Sequence, residues 1–211
     1  MAKVKNIVFD FGGVLARWDM RYYYRDYFRD DAKMEFFLAN VCTTEWNTQN
    51  DCGRTYDETT SELIAEWPEY ADAIRMFPMH WGEMLGTEIV ETTAVVRRLN
   101  ALGYRTFGLT NWSAQNIHVA YERFVFPHLF EGVVVSGIER TVKPFPRIYR
   151  ILLSRYNLAA EESVFVDDNA ANVAGAERVG MHGILFRSTE QAAAEIAAWL
   201  GIAADSLLLQ A

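Results

Sequence analysis

The sequence lacks several features that mark specialised classes of protein. Only two of its 211 residues are cysteines, Cys42 and Cys52, and their separation matches neither a zinc site nor a disulfide scaffold. No apolar run reaches the roughly 20 residues that cross a bilayer. Met1 to Lys5 lead directly into an apolar strand. We therefore expect a cytoplasmic protein with two reduced thiols and no membrane contact.

Concentrated positive charge is also missing. The formal net charge is −8 at pH 7, and acidic and basic residues are interspersed without a basic block that would neutralise a phosphate backbone. We therefore expect no nucleic-acid partner. The hydrophobic content of 51% is enough to bury a substantial core, and the length suits one domain with an inserted lobe.

Short apolar runs alternate with helical patterns along most of the chain. Residues Ile89, Thr92, Val96 and Leu99 recur at helical spacing, and the pattern stops at Gly103. The runs do not alternate with polar residues, which is typical of strands buried on both faces. They cover residues 7–9, 106–109, 133–135, 164–166 and 183–186. Together these patterns predict a parallel α/β sheet.

A long insertion separates the first two predicted strands. It holds about 90 residues, far more than one crossover helix requires. Met34, Phe37 and Leu38 belong to one helical stripe within it, and Tyr56 and Leu63 belong to another. We predict a helical cap over residues 16–85 and a core formed by residues 1–15 and 86–211.

Acidic residues stand at the ends of two predicted strands. Asp10 follows the first strand and precedes Gly12-Gly13, and Asp167-Asp168 end the fourth. Taken alone, Asp167-Asp168 could equally be helix caps. Adjacent buried carboxylates repel each other, and a hard divalent cation relieves that cost, so magnesium is the natural occupant of this edge.

Two more strand ends contribute polar groups. Thr110 and Asn111 end the second strand, and Ser136 ends the third, shortly before Lys143. Phosphoryl transfer requires positive charge, oriented donors and an in-line nucleophile, and this set contains each of them.

Four segments resemble the ordered motifs of the haloacid dehalogenase-like superfamily. The segments are VFDFGGV at 8–14, LTN at 109–111, KPFPRIY at 143–149 and VFVDDNAAN at 164–172. The resemblance covers the whole core, and the position of the insertion resembles the helical-cap subclass. It implies a Rossmann-like parallel sheet with helices on both faces, an inserted α-helical cap and a magnesium-dependent phosphatase acting on a small phosphate ester as a monomer or homodimer.

The resemblance also implies roles for individual residues. Asp10 would form a covalent aspartyl phosphate, with Thr110 and Lys143 as the other catalytic residues. Substrate would be bound by Thr110, Asn111 and Lys143. To this set we add Trp46, which is a candidate from the cap and not from the resemblance. Magnesium would be held by Asp10, the carbonyl of Gly12 and Asp168, with Asp167 and Asn172 acting through waters.

One position departs from the pattern of the superfamily. Most of its phosphatases carry a second aspartate two residues after the nucleophile as general acid and base, and Gly12 stands there instead. Losing that group costs about 10²–10⁴-fold for a poor leaving group and less for an acidic one, such as an anomeric sugar oxygen. The segment Phe9–Val14 resembles a bacterial subgroup that includes sugar 1-phosphate phosphatases, so a small sugar phosphate is the expected substrate.

Two other functions stay open at this point. A metal-independent 2-haloacid dehalogenase would use the same Asp10 and a cap arginine, for which Arg17, Arg21 and Arg25 are candidates. A non-catalytic phosphosugar-binding module would also suit the glycine at position 12. The cap is expected to select the substrate, and the candidate pocket residues are Trp18, Trp46, Asn47, Asp51 and His80.

Overall fold

The five predicted strands form one parallel sheet in the computed structural model, which describes residues 3–208. The strands are β1 Asn6–Phe9, β4 Arg105–Thr110, β5 Gly132–Val135, β6 Ser163–Asp167 and β7 His182–Leu185. Their spatial order is β5-β4-β1-β6-β7. The chain therefore builds one half of the sheet outward from β1 and then crosses to the other half. Open α/β sheets form a crevice at the carboxyl end of such a reversal point.

Helices cover both faces of this sheet, as predicted. They are α7 Val90–Ala101, α8 Ile117–Arg123, α9 Ser136–Glu139, α10 Pro146–Arg155, α11 Ala170–Glu177 and α12 Thr189–Leu200. Successive residues of β1 enter different apolar clusters: Ile7 and Phe9 pack with residues of α7 and α12, and Val8 packs with residues of α10. This alternation follows from the strand geometry, which directs neighbouring side chains to opposite faces.

The insertion between β1 and α7 is largely helical and begins and ends in a short antiparallel ribbon. The ribbon pairs β2 Ala16–Trp18 with β3 Leu85–Glu88, and the sequence patterns did not predict it. Between its strands lie α1 Arg21–Phe28, α2 Asp31–Asn40, α3 Thr44–Asp51, α4 Tyr56–Glu66, α5 Ala71–Met79 and α6 Trp81–Met84. Both stripes expected in this insertion are helical, in α2 and α4. The exact division into core and cap stays a prediction.

Aromatic side chains form much of the interior of the inserted helices. Tyr24 is fully buried, its hydroxyl donates to the carbonyl of Ala73 at 2.9 Å, and its ring lies 4.9 Å from that of Phe37. Such contacts combine large apolar burial with a satisfied polar group, which stabilises a small helical unit.

The part of the chain that the structure describes holds its cysteines as free thiols. Cys42 is buried and Cys52 is partly exposed. Among these residues, no helix combines the length and the apolar character needed to cross a membrane.

Candidate active site

Asp10 lies directly after β1, at the carboxyl edge of the sheet. Its backbone N–H donates to the carbonyl of Val166 at 2.9 Å, which ties it to β6. The Oδ1 atom accepts from the backbone N–H of Phe11 at 2.6 Å and lies 2.7 Å from Nζ of Lys143. The Oδ2 atom receives neither contact. Oδ1 of the carboxylate is therefore held in place, whereas Oδ2 is contacted by neither Phe11 nor Lys143.

Lys143 is buried between the two acidic strand ends. Its Nζ lies 2.7 Å from Oδ1 of Asp10 and 2.7 Å from Oδ2 of Asp167, and it donates to the carbonyl of Leu109 at 3.0 Å. Burial by itself would lower the pKa of Lys143, but the charges of both aspartates outweigh it and raise the pKa above its usual range. The site therefore contains a permanent cation with all three donors directed.

Asn111 holds the loop that carries this lysine. Its Oδ1 accepts from the backbone N–H of Lys143 at 2.8 Å, and its Nδ2 donates to the carbonyl of Lys143 at 3.0 Å. The side-chain amide has one further N–H, which can serve the substrate contact predicted for Asn111. The paired bonds show a positioning role that sequence reasoning missed.

The two adjacent aspartates occupy different environments. Asp167 is fully buried, and its carboxylate accepts from Lys143, from the backbone N–H of Asn169 at 2.8 Å and from Nδ2 of Asn172 at 3.1 Å. Asp168 is exposed. Asp167 therefore anchors a hydrogen-bond network, whereas Asp168 is available to a ligand. Asn172, expected to act on a metal through water, contacts Asp167 directly.

Gly13 makes room for the Asp168 carboxylate. Its φ of +72° favours glycine, and a Cβ at this position would overlap the carboxylate of Asp168. Its backbone N–H closes the turn by donating to the carbonyl of Ala16 at 2.9 Å. The glycine pair after Asp10 therefore brings Asp168 against the turn that carries Gly12.

Three carboxylates of this crevice can reach one metal ion. Asp10, Asp167 and Asp168 each offer an oxygen, and these atoms lie within 4.8 Å of one another. Burial raises the pKa of Asp10 well above its usual value; Lys143 opposes this shift, and the charge of Asp167 adds to it. A hard divalent cation would remove this electrostatic cost, so the donor set fits magnesium.

Thr110, the last residue of β4, is buried at the same edge. Its Oγ1 atom has no hydrogen-bond partner among residues 3–208. An unsatisfied buried hydroxyl is costly unless a ligand completes it. This observation fits the phosphate contact predicted for Thr110.

A cavity of about 150 Å³ lies between this crevice and the inserted helices. Its lining residues are Asp10, Gly12, Trp18, Thr44, Asn47, Asp51, Trp81, Asn111 and Trp112. Within the described chain, Nε1 of Trp18, Nε1 of Trp112 and Oδ1 of Asn47 are buried without a partner. Three of the lining residues thus carry a buried polar atom without a partner, beside the aromatic rings of the lining.

Three of the five predicted pocket residues line this cavity, namely Trp18, Asn47 and Asp51. Trp46, predicted as a substrate contact, does not line this cavity. Its Nε1 donates to the carbonyl of Thr59 at 3.2 Å, and its ring packs on Phe77. Asn47 and Asp51 are four residues apart on α3 and share a face, whereas Trp46 lies on another.

His80 also lies outside the cavity lining. It stacks on Tyr23 with ring centroids 4.4 Å apart, and its Nδ1 lies 2.6 Å from Glu83. Sequence reasoning did not assign Trp112 to the pocket, although its place directly after Thr110-Asn111 at a strand end was an available signal.

The arginines proposed to cradle a halide do not line the cavity. Arg17 and Arg25 are exposed, and Arg21 is paired with Glu35 at 2.7 Å and Asp19 at 3.3 Å. The leaving-ion contact that a dehalogenase would require from this set is therefore not formed.

Sequence comparison identifies related proteins. The profile of the haloacid dehalogenase-like hydrolases matches residues 4–180. A sesquiterpene phosphatase of Aspergillus oryzae is 27% identical over 185 residues, which cover 85% of this chain and 88% of that protein. A glyceraldehyde 3-phosphate phosphatase of Pyrococcus abyssi is 31% identical over 101 residues, but these cover only 47% of this chain and 42% of that protein.

Solved structures share the fold. A haloacid dehalogenase family enzyme of Bacteroides thetaiotaomicron, in complex with magnesium and inorganic phosphate, has a TM-score of 0.66 and 19% identity over 87% of this chain and 94% of its own. An L-2-haloacid dehalogenase of Xanthobacter autotrophicus has a TM-score of 0.61 and 17% identity, over 92% of this chain and 83% of its own. Since both resemble the chain in fold, the choice of reaction depends on the site.

Proposed function

This chain belongs to the haloacid dehalogenase-like hydrolase family, and we propose that within it the protein is a magnesium-dependent phosphatase for small phosphate monoesters. The observation that carries the proposal is the crevice where Asp10 meets the buried cation Lys143 and the unsatisfied hydroxyl of Thr110. A phosphoryl group requires this combination of nucleophile, positive charge and free donor.

Magnesium would be held by Asp10, the carbonyl of Gly12 and Asp168. When bound, it supplies Lewis-acid stabilisation of phosphoryl oxygens and offsets the carboxylate charge. The clustered acidic oxygens support this assignment, because a divalent cation offsets their mutual repulsion. Asp167 acts behind them by holding Lys143 and Asn172 in place.

Asp10, Lys143 and Thr110 each have a separate role in the phosphoryl transfer. Oδ2 of Asp10 attacks phosphorus, the bond from phosphorus to the ester oxygen breaks, and an aspartyl phosphate forms. Lys143 stabilises the charge on the transferring oxygens, and Thr110 donates to one of them. Water then attacks phosphorus, the bond to Asp10 breaks, and inorganic phosphate leaves with the carboxylate restored.

The cavity supports a small polar leaving group. A volume of about 150 Å³ holds a ligand of roughly the size of one six-membered ring. Unsatisfied polar atoms of Trp18, Trp112 and Asn47 favour hydroxyl groups over an apolar chain. We therefore propose a sugar phosphate as substrate, rather than a fifteen-carbon terpenyl phosphate of the kind suggested by the Aspergillus relative.

A release assay tests the proposal directly. Purified protein is incubated with sugar phosphates, glyceraldehyde 3-phosphate and farnesyl phosphate, with and without magnesium, beside 2-chloropropionate. We expect magnesium-dependent release of phosphate, greatest for a sugar phosphate, and no release of halide. Halide release without magnesium, combined with no phosphate release, would overturn the proposal.

The variant Asp10→Asn tests the covalent step. It removes the nucleophilic oxygen while preserving the volume of the side chain, so we expect turnover to vanish and the cooperative unfolding transition to remain. Turnover close to that of the wild type would exclude covalent catalysis by Asp10. The cytoplasmic location and the monomeric or homodimeric state stay predictions.

A further inference from the structure

The proposed phosphatase reaction requires a proton donor that Gly12 does not provide. A Cβ built on Gly12 meets no atom within 4 Å, so the space beside it is open and continuous with the cavity. The leaving oxygen can enter this space, but it finds no acid on the first motif. A proton donor would therefore have to lie on the other side of the cavity, which the inserted helices form.

Asp51 is the carboxylate that these helices place in the cavity. It is the last residue of α3 and lines the same cavity as Asp10. Its Oδ2 accepts from Nδ2 of Asn47 at 3.3 Å, a contact one helical turn away. The carboxylate is thus oriented by a neighbour that also lines the cavity.

A direct hydrogen bond attaches Asp51 to the sheet. The hydroxyl of Ser136, the residue directly after β5, donates to the backbone carbonyl of Asp51 at 2.6 Å and accepts from the backbone N–H of Trp112 at 2.9 Å. Two strand ends of the core therefore hold the end of α3. This contact gives Asp51 a defined position relative to the nucleophile.

The surroundings of Asp51 suit a group that both gives and takes a proton near neutral pH. Burial raises the pKa of Asp51 to about 7, against the opposing effects of the Lys143 charge and of the backbone N–H of Ser113. The carboxyl end of a helix also disfavours an anion. Tyr56 is the other titratable group that interacts with this carboxylate. A general acid is most effective when its pKa lies near the working pH.

We propose that Asp51 is the general acid and base of this active site, supplied by the inserted helices in place of an aspartate at position 12. As Asp10 attacks and the ester bond breaks, the Asp51 carboxyl gives its proton to the leaving oxygen. The resulting carboxylate then takes a proton from the water that attacks the aspartyl phosphate. Asp51 ends protonated and Asp10 ends ionised, so each returns to its starting state.

The test compares Asp51→Asn with Asp26→Asn, which changes an exposed carboxylate on α1. The substrates are glycerol 3-phosphate, whose alkoxide is a poor leaving group, and p-nitrophenyl phosphate, whose phenolate needs no proton. We expect Asp51→Asn to lower turnover of glycerol 3-phosphate by about 10²–10⁴-fold. With p-nitrophenyl phosphate it should give a burst of one phenolate per enzyme, followed by slow turnover, because water lacks its base. Asp26→Asn should behave as the wild type.

A pH profile of the wild-type protein provides a second measurement that does not depend on the folding of a variant. Protonated Asp51 is required for a poor leaving group, so kcat/KM for glycerol 3-phosphate should fall as pH rises through about 7, relative to that for p-nitrophenyl phosphate. Suppose that the wild type is active, that its two pH profiles are the same and that Asp51→Asn keeps full turnover. This result would overturn the role of Asp51 and leave the phosphatase proposal intact. A wild type that releases no phosphate from any ester would overturn the phosphatase proposal, and this inference with it.

Discussion

Replacement of Lys143 by methionine isolates the energetic role of the buried ion pairs. The side chains of Lys143 and Asp167 are 0% exposed, and that of Asp10 is 11% exposed. Removing the cation leaves two buried carboxylates without compensation, a change that typically costs about 3–5 kcal/mol. Methionine retains much of the length of the lysine stem, so lost packing contributes little. We expect the free energy of unfolding to fall by that amount in magnesium-free buffer at pH 8.

A matched control exists at the surface. Nζ of Lys5 lies 2.6 Å from Oε1 of Glu162, but the two side chains are 59% and 26% exposed. A solvated pair of this kind is worth about 0–1 kcal/mol. The pair removed by Lys5→Met therefore has the same chemistry and a similar separation, but it is solvated and has one carboxylate where Lys143 has two.

Guanidinium denaturation and thermal unfolding measure the difference. For a chain of this length, each kcal/mol moves the melting temperature by roughly 2–4 °C, so Lys143→Met should melt about 10 °C lower. Lys5→Met should melt within a few degrees of the wild type. Equal losses in the two variants would refute the reasoning that burial makes the Lys143 pairs indispensable.

The remaining predictions concern the phosphate and metal contacts. Thr110→Val should lower kcat/KM for a phosphate ester by about 10- to 100-fold, since a hydrogen bond to a charged group is lost. Its melting temperature should not fall, because Oγ1 of Thr110 has no partner in the described structure; a clear drop would show a structural role. Gly13→Ala should raise the magnesium concentration for half-maximal activity, because the added Cβ displaces Asp168. Gly103→Ala controls for backbone strain, because Gly103 has a φ of +84° and an added Cβ would meet no atom within 4 Å. Equal magnesium dependence in the two variants would contradict the placement of Asp168.

Strand-end chemistry could be predicted because it depends on local order. Each apolar run is followed directly by its polar residue, and parallel strands bring their carboxyl ends to one edge. Pairing of the strands therefore brings three of these polar residues to the same edge of the sheet, namely Asp10, Thr110 and Asp167. The structure confirms the parallel sheet and brings Lys143 between two of these residues.

The fold class, the helical character of the insertion and the position of Asp10 at the end of the first strand could be read from the sequence, because periodicity and residue order are local properties. Which residues of the inserted helices share a cavity with Asp10 became clear from the tertiary structure. It placed Asp51 in the cavity and Trp46 in the interior, although both lie on α3. It also showed that the adjacent residues Asp167 and Asp168 differ in burial and in their contacts. Such differences depend on which face of an element meets a distant segment, and no local pattern records that.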